Sequence, residues 1–228
     1  MISRFKWYAI RFPCTVAEAF QKLESYRYDP TQATGFVVDT SDSSFQFFWT
    51  APIFATIIDS DGVSNRNEIF SVSSQQAHIL GTDRLVMRMQ DPPRSSRELL
   101  NSLEKLLGFG FTCEKITLTD ALIRKSIESF HSVTLNSIKI SGTIPSMSAI
   151  ARVELASKTG IEIDKIDNFQ LEGMIVDSAS YTAKYKGLSG SVGFTRSGMC
   201  KISGDLGPLI QSNIEKNLLS LASADSKH

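Results

Sequence analysis

The chain has 228 residues, 42% of them hydrophobic and 21% charged, with 24 Lys and Arg balanced by 24 Asp and Glu. This composition supports a real core in one large domain or two small ones and excludes wholesale disorder. No apolar run approaches the roughly 20 residues of a membrane-spanning helix, and charges interrupt the N-terminal pattern where a signal peptide needs an apolar stretch, so a cytoplasmic protein is expected.

In chain order, residues 4–12 alternate as a strand, with Phe5, Trp7 and Ala9 on one face and Arg4, Lys6, Tyr8 and Ile10 on the other. Thr15 followed by Glu18 is a capping box that opens a helix burying Val16, Phe20 and Leu23. Period-2 runs over 35–40, 44–50, 54–58, 68–80 and 84–90 predict strands, separated by turn residues such as Asp42-Ser43 and Asp61-Gly62. After the break at Asp91-Pro92-Pro93, Ser95 and Glu98 form a second capping box ahead of the stripe Leu99, Leu100, Leu103, Leu106 and Leu107. A strand over 111–118 and a helix capped by Thr119 or Asp120 follow.

Beyond them, Ile138-x-Ile140-x-Gly142-x-Ile144 matches Phe169-x-Leu171-x-Gly173-x-Ile175. Each is followed by a second alternating stretch, at 149–155 and at 181–185, which suggests a repeated β-hairpin. A further hairpin turns at Arg196-Ser197-Gly198, and a closing helix carries Leu209, Ile210, Ile214, Leu218 and Leu221. The pattern predicts an α+β protein with a largely antiparallel sheet and helices near 15–27, 95–107, 119–130 and 206–222. It divides into an N-terminal lobe over 1–83, a C-terminal lobe over 84–222 and a disordered tail over 223–228.

Catalytic signatures are missing from this pattern. There is no Gly-x-Ser-x-Gly elbow, phosphate-cradling loop or dinucleotide fingerprint, which predicts a non-enzymatic protein without cofactor. Cys14, Cys113 and Cys200 are far apart and odd in number, which fits reduced thiols, and with His78, His131 and His228 they lack metal-ligand spacing. His78, beside Ile79 and Leu80, reads as a satisfied strand histidine. Asp59-Ser-Asp61-Gly62 places two carboxylates on a loop, a pattern that suits Mg²⁺ or Ca²⁺. A metal-dependent nuclease using Asp59 and Asp61 is therefore an alternative, although an Asp-Gly turn accounts for the same residues.

Charge is segregated along the neutral chain. Residues 1–12 carry Arg4, Lys6 and Arg11 with no acid, residues 28–83 carry seven acids and only Arg66, and residues 178–204 carry Lys184, Lys186, Arg196 and Lys201 with no acid. Sorted this way, a neutral protein presents a field at one surface while its bulk charge cancels. Arg4 and Lys6 share a strand face, as do Arg84 and Arg88, and as do Lys184 and Lys186; Arg196 and Lys201 lie on the next hairpin. Cations at alternate strand positions suit the phosphates of a nucleic acid. A solvated face, or the contact surface of a protein partner or second subunit, accounts for the same pattern.

The run Asp83-Arg-Leu-Val-Met-Arg-Met, a polar break, Arg97-Glu-Leu-Leu-Asn-Ser-Leu-Glu-Lys-Leu-Leu-Gly108 and Ile116-Thr-Leu-Thr resembles the strand–helix–strand segment of the RdgC family. Those are nucleoid-associated proteins that encircle duplex DNA, and the organisation is also similar to that of the phage Rex exclusion protein A group. The resemblance spans residues 83–118 and carries over no functional residue. It implies DNA as the ligand, in DNA maintenance or phage defence.

Overall fold

The computed structural model describes residues 2–58, 60–62, 64–144, 148–162 and 172–224. The elements run β1 (Ile2–Arg11), α1 (Val16–Ser25), β2 (Thr34–Asp39), β3 (Ser44–Ile58), β4 (Ser64–Leu80), β5 (Leu85–Gln90), α2 (Arg97–Leu107), β6 (Thr112–Lys115) and α3 (Asp120–Ile127). Then follow β7 (Ser132–Ile144), β8 (Ala149–Ala156), β9 (Glu172–Tyr185), β10 (Leu188–Thr195), β11 (Cys200–Gly204) and α4 (Gly207–Ala224). Antiparallel ladders and four helices make this an α+β fold, as the periodicity predicts. The chain divides into two compact units with interleaved boundaries: Met1–Ala9, Gly81–Val86 and Glu114–His228 form one, and Ile10–Leu80 and Met87–Cys113 the other.

In the first unit the strands lie in the order β1-β11-β10-β9-β7-β8, and α3 and α4 pack against β9, β10 and β11. The packed face carries Phe5 and Trp7 of β1, Ile202 of β11, Val192 and Phe194 of β10 and Tyr181 and Ala183 of β9, all buried. From the helices come Ile123 and Ile127 and the α4 stripe Ile210, Ile214 and Leu218; Leu209 stays exposed. Burying each large side chain contributes about 1.5–3 kcal/mol. The Trp7 ring is fully buried, and its indole Nε1 donates to Glu215 Oε1 of α4 at 3.3 Å. Gly190 permits the close approach of α4: a Cβ there would sit 2.8 Å from Leu206 Cβ.

The second unit sets β2, β3 and β4 side by side, with α1 and α2 in contact with each other and α1 against β2. Its core is aromatic, with the Phe36 ring 4.9 Å from Phe47 and 5.7 Å from Phe45, and Phe20 of α1 edge-on to Phe45 at 6.3 Å. The capping box of α1 forms as expected: Glu18 N donates to Thr15 Oγ1 at 3.2 Å and Thr15 N to Glu18 Oε2 at 2.8 Å.

Several sequence expectations are corrected. The expected box at Ser95 does not form. The Ser95 hydroxyl instead accepts from Arg97 N at 3.3 Å, and Ser96 is the N-cap of α2 without a side-chain bond. The stretches 44–50 and 54–58 are a single strand. β2 flanks β3 only from Ser44 to Trp49, so Pro52 falls where β3 has become an edge strand and its missing N–H costs no ladder bond. Likewise 181–185 is no return strand of a second hairpin, since Glu172–Tyr185 is one strand whose irregular pairing with β7 absorbs the break in alternation. Phe169 and Leu171, which carry part of that repeat, lie outside the described residues. Helix α4 extends to Ala224, two residues into the expected tail.

Candidate nucleic-acid interface

Strand periodicity in the first unit sends every second side chain away from the helices. The outward positions are Ile2, Arg4 and Lys6 on β1, Lys201 and Ser203 on β11, Ser191, Gly193 and Thr195 on β10, and Ser178, Ser180, Thr182 and Lys184 on β9. The pairing aligns them in transverse rows. Arg4 lies opposite Lys201, Lys201 opposite Gly193, Gly193 opposite Ser180, and Ser180 opposite Ser137 of β7. The adjoining row is Ile2, Ser203, Ser191, Thr182 and Thr134.

Among the described residues, these outward positions of β1, β11, β10 and β9 carry four cations and no acid. Of the four cations, Lys201 lines a cavity of about 350 Å³ whose other walls include Ile2, Ser178, Ser180, Ser191, Gly193 and Ser203. The Ser191 and Ser203 hydroxyls are 2.7 Å apart, and Asn136 Nδ2 donates to Thr182 Oγ1. A Cβ on Gly193 would meet its nearest neighbour, Ala179 O, at 3.7 Å, so the glycine leaves open floor rather than relieving a clash.

The register brings two cationic positions, Arg4 and Lys201, directly opposite one another and so concentrates positive charge on this face. Short hydroxyls around them supply donors for phosphate oxygens without closing the approach. Cations and hydroxyls together give this face the chemistry that anions are held by. It contains no nucleophile–base pair: Cys200 points to the helix side, and burial pushes its thiol up to about 12.

The other expected basic residues fall in different places. Lys186 is not on the β9 face with Lys184. It occupies the turn after β9 at φ 49°, its ammonium 5.2 Å from the centroid of the Tyr185 ring, because the strand alternation ends at Tyr185. Arg196 sits in the turn after β10, its backbone N donating to Asp177 O at 2.7 Å. Arg84 precedes β5 and so shares no strand face with Arg88, which is half-buried on β5 in the second unit. The Ser and Thr floor has a signal in the sequence that charge does not show: Ser178-x-Ser180-x-Thr182 and Ser189-x-Ser191 repeat with strand period.

A larger concavity of about 900 Å³ lies in the same unit, lined by Asp120, Arg124, Lys125, Phe130 and Tyr181 among others. Three of its polar groups are engaged with one another. Tyr181 donates to Asp120, and Arg124 stands 3.9 Å from the same carboxylate. Burial, then the hydrogen bond to Asp120, raises the Tyr181 phenol well above its ordinary value. In the second unit His78 is buried with Nδ1 3.2 Å from Asp42 Oδ2, a satisfied strand histidine as expected. Asp61 is exposed in the turn between β3 and β4, and Asp59 lies outside the described residues. Among the described residues no three His, Cys, Asp or Glu side chains converge as metal ligands, and no helix is long and apolar enough to cross a membrane. Compared with protein-family models and with curated protein sequences, the chain finds no match.

Proposed function

We propose that this protein binds nucleic acid without chemistry, through the outward face of β1, β11, β10 and β9, with the phosphate backbone as the feature held. The observation that carries the reading is the cross-strand pair Arg4–Lys201, with Lys6 next on the same face of β1, hydroxyls beside Lys201, and Lys184 farther along β9. Lys186 and Arg196 in the neighbouring turns add to the field at that face; Arg84 and Arg88 are left out of the contact surface. The likeness of residues 83–118 to the RdgC family supports DNA as the ligand and DNA maintenance or phage defence in the cytoplasm as the setting.

Fluorescence anisotropy with labelled duplex and single-stranded DNA tests this. On duplex DNA four phosphate contacts give a slope of log affinity against log salt of about −3.6, a loss of about 10²-fold between about 50 and 200 mM salt. Replacing Arg4, Lys6 and Lys201 by Ala together should make the slope shallower by about 2.7 and weaken binding to every sequence alike. Absence of binding at low salt, or an unchanged slope in the triple variant, overturns the reading.

A further inference from the structure

Among the described residues, β3 and β4 continue beyond β2's reach as a two-stranded arm, paired from Thr50↔Val72 out to Ile58↔Ser64. β5 is six residues long and follows β4 through a short turn, so it can flank only the base of β4. The arm exposes Ile53, Phe54, Ile57 and Ile58 of β3 and Ile69, Phe70 and Val72 of β4, each at least half uncovered. Ile53, Ile57 and Ile69 lie on one face, and Phe54, Ile58, Phe70 and Val72 on the other. An isolated hairpin with both faces apolar is marginal in water, and such a patch marks an interaction site. A hairpin bound to lipid would concentrate its apolar groups on one face; this one is apolar on both and carries Asn65, Arg66, Asn67 and Glu68 along β4.

We propose that the occupant is a second copy of this chain, added antiparallel along the open edge of β4 about a two-fold axis at Asn67. Charge selects that register. Arg66 and Glu68 flank Asn67, so the axis sets Arg66 opposite Glu68 of the partner subunit and, by symmetry, Glu68 opposite the partner's Arg66. Arg66 is already steadied for this, its guanidinium 4.2 Å above the Phe54 ring. The same register lays Ile69 beside the partner's Asn65 and Phe70 beside the partner's Ser64. Two two-stranded ribbons then become one four-stranded sheet with apolar rows on each face. The chain's zero net charge leaves no bulk repulsion between copies. Pro52 interrupts the donor row of β3, whereas β4 has no proline from Ser64 to Val72 and keeps its backbone donors for a partner.

Sedimentation equilibrium of the full chain over a wide concentration range tests the proposal. Wild type should rise from the mass of one chain to that of two. Arg66→Glu and Glu68→Arg each set like charges opposite one another twice across the axis and should weaken association at least tenfold. The double exchange Arg66→Glu with Glu68→Arg restores both pairs and should restore the dimer. Circular dichroism checks that these exposed substitutions leave the fold intact, and wild type read alone should associate less tightly as salt rises. A wild type that stays at one chain, single variants that associate like wild type, or a double variant that stays apart overturns the proposal. The first of these results leaves a different protein as the partner of the arm.

Discussion

The outward face of the helix-backed sheet and the β3–β4 arm are both exposed β-surface, yet they are built from opposite materials. The sheet face sets cations and short hydroxyls over a buried layer of Trp7, Tyr181 and Phe194, so its geometry is held from behind by α3 and α4. Among the described residues the arm has no such layer, and its apolar side chains stand on both sides of a single ribbon. A rigid polar platform suits a charged ligand that must meet fixed donors; a bare ribbon suits a partner that completes its sheet. Exposure alone therefore says little about ligand class. What lies behind the exposed face decides it.

The largest test of this contrast removes the backing. Trp7→Ala deletes a fully buried ring and its bond to Glu215, and should cost about 3–5 kcal/mol in chemical denaturation. Ile58→Ser, on the arm at 69% exposure, should change stability by no more than about 0.5 kcal/mol. Equal costs at the two positions would mean that the arm is packed in solution, and the contrast would be lost.

A second test asks whether the ligand reaches the hydroxyl floor beside Lys201. Gly193→Leu fills the cavity from a position with ordinary backbone and ordinary contacts, so the fold should survive it. Affinity for DNA should fall about tenfold, near 1.4 kcal/mol, while Arg4 and Lys201 remain in place. Unchanged affinity would move the contact to the rim and leave the hydroxyl floor idle.

Much of this was legible locally. The alternation of Arg4 and Lys6 against Phe5 and Trp7, and the Thr15–Glu18 box, depend on neighbours in sequence and appear as read. The pairing of Arg4 with Lys201 does not, because strand register joins residues from opposite ends of the chain and no local pattern encodes it. The expected split between 44–50 and 54–58 fails for a related reason: Pro52 within that span is tolerated by an edge strand though not by a central one, and which of these β3 is depends on how far β2 extends. At Ser95 two local hydrogen-bond choices compete, and the sequence motif is the same for both. The arm's apolar faces read as ordinary strand, since periodicity reports burial only when a partner layer exists.

The smallest test separates the arm from the base that carries it. Thr15→Ala removes the cap of α1 and should cost about 1 kcal/mol, without changing self-association at neutral pH, because α1 packs at β2 and not on the arm. The box also has a pH signature. The backbone N–H of Thr15, then its hydroxyl, hold the Glu18 carboxyl below the usual glutamate range. A carboxyl lowered in the folded state stabilises fully above its unfolded value, and that contribution is lost as pH falls through the lowered one. Glu18→Gln keeps an acceptor at the same place and removes the titration. Wild type should therefore lose stability relative to Glu18→Gln on acidification below the glutamate range. Asp29 and Asp39, lowered by their bonds to Thr31 and Ser41, titrate in both proteins and cancel from the difference. A difference that stays constant from neutral to acid pH would show that Glu18 gains nothing from its place in the box.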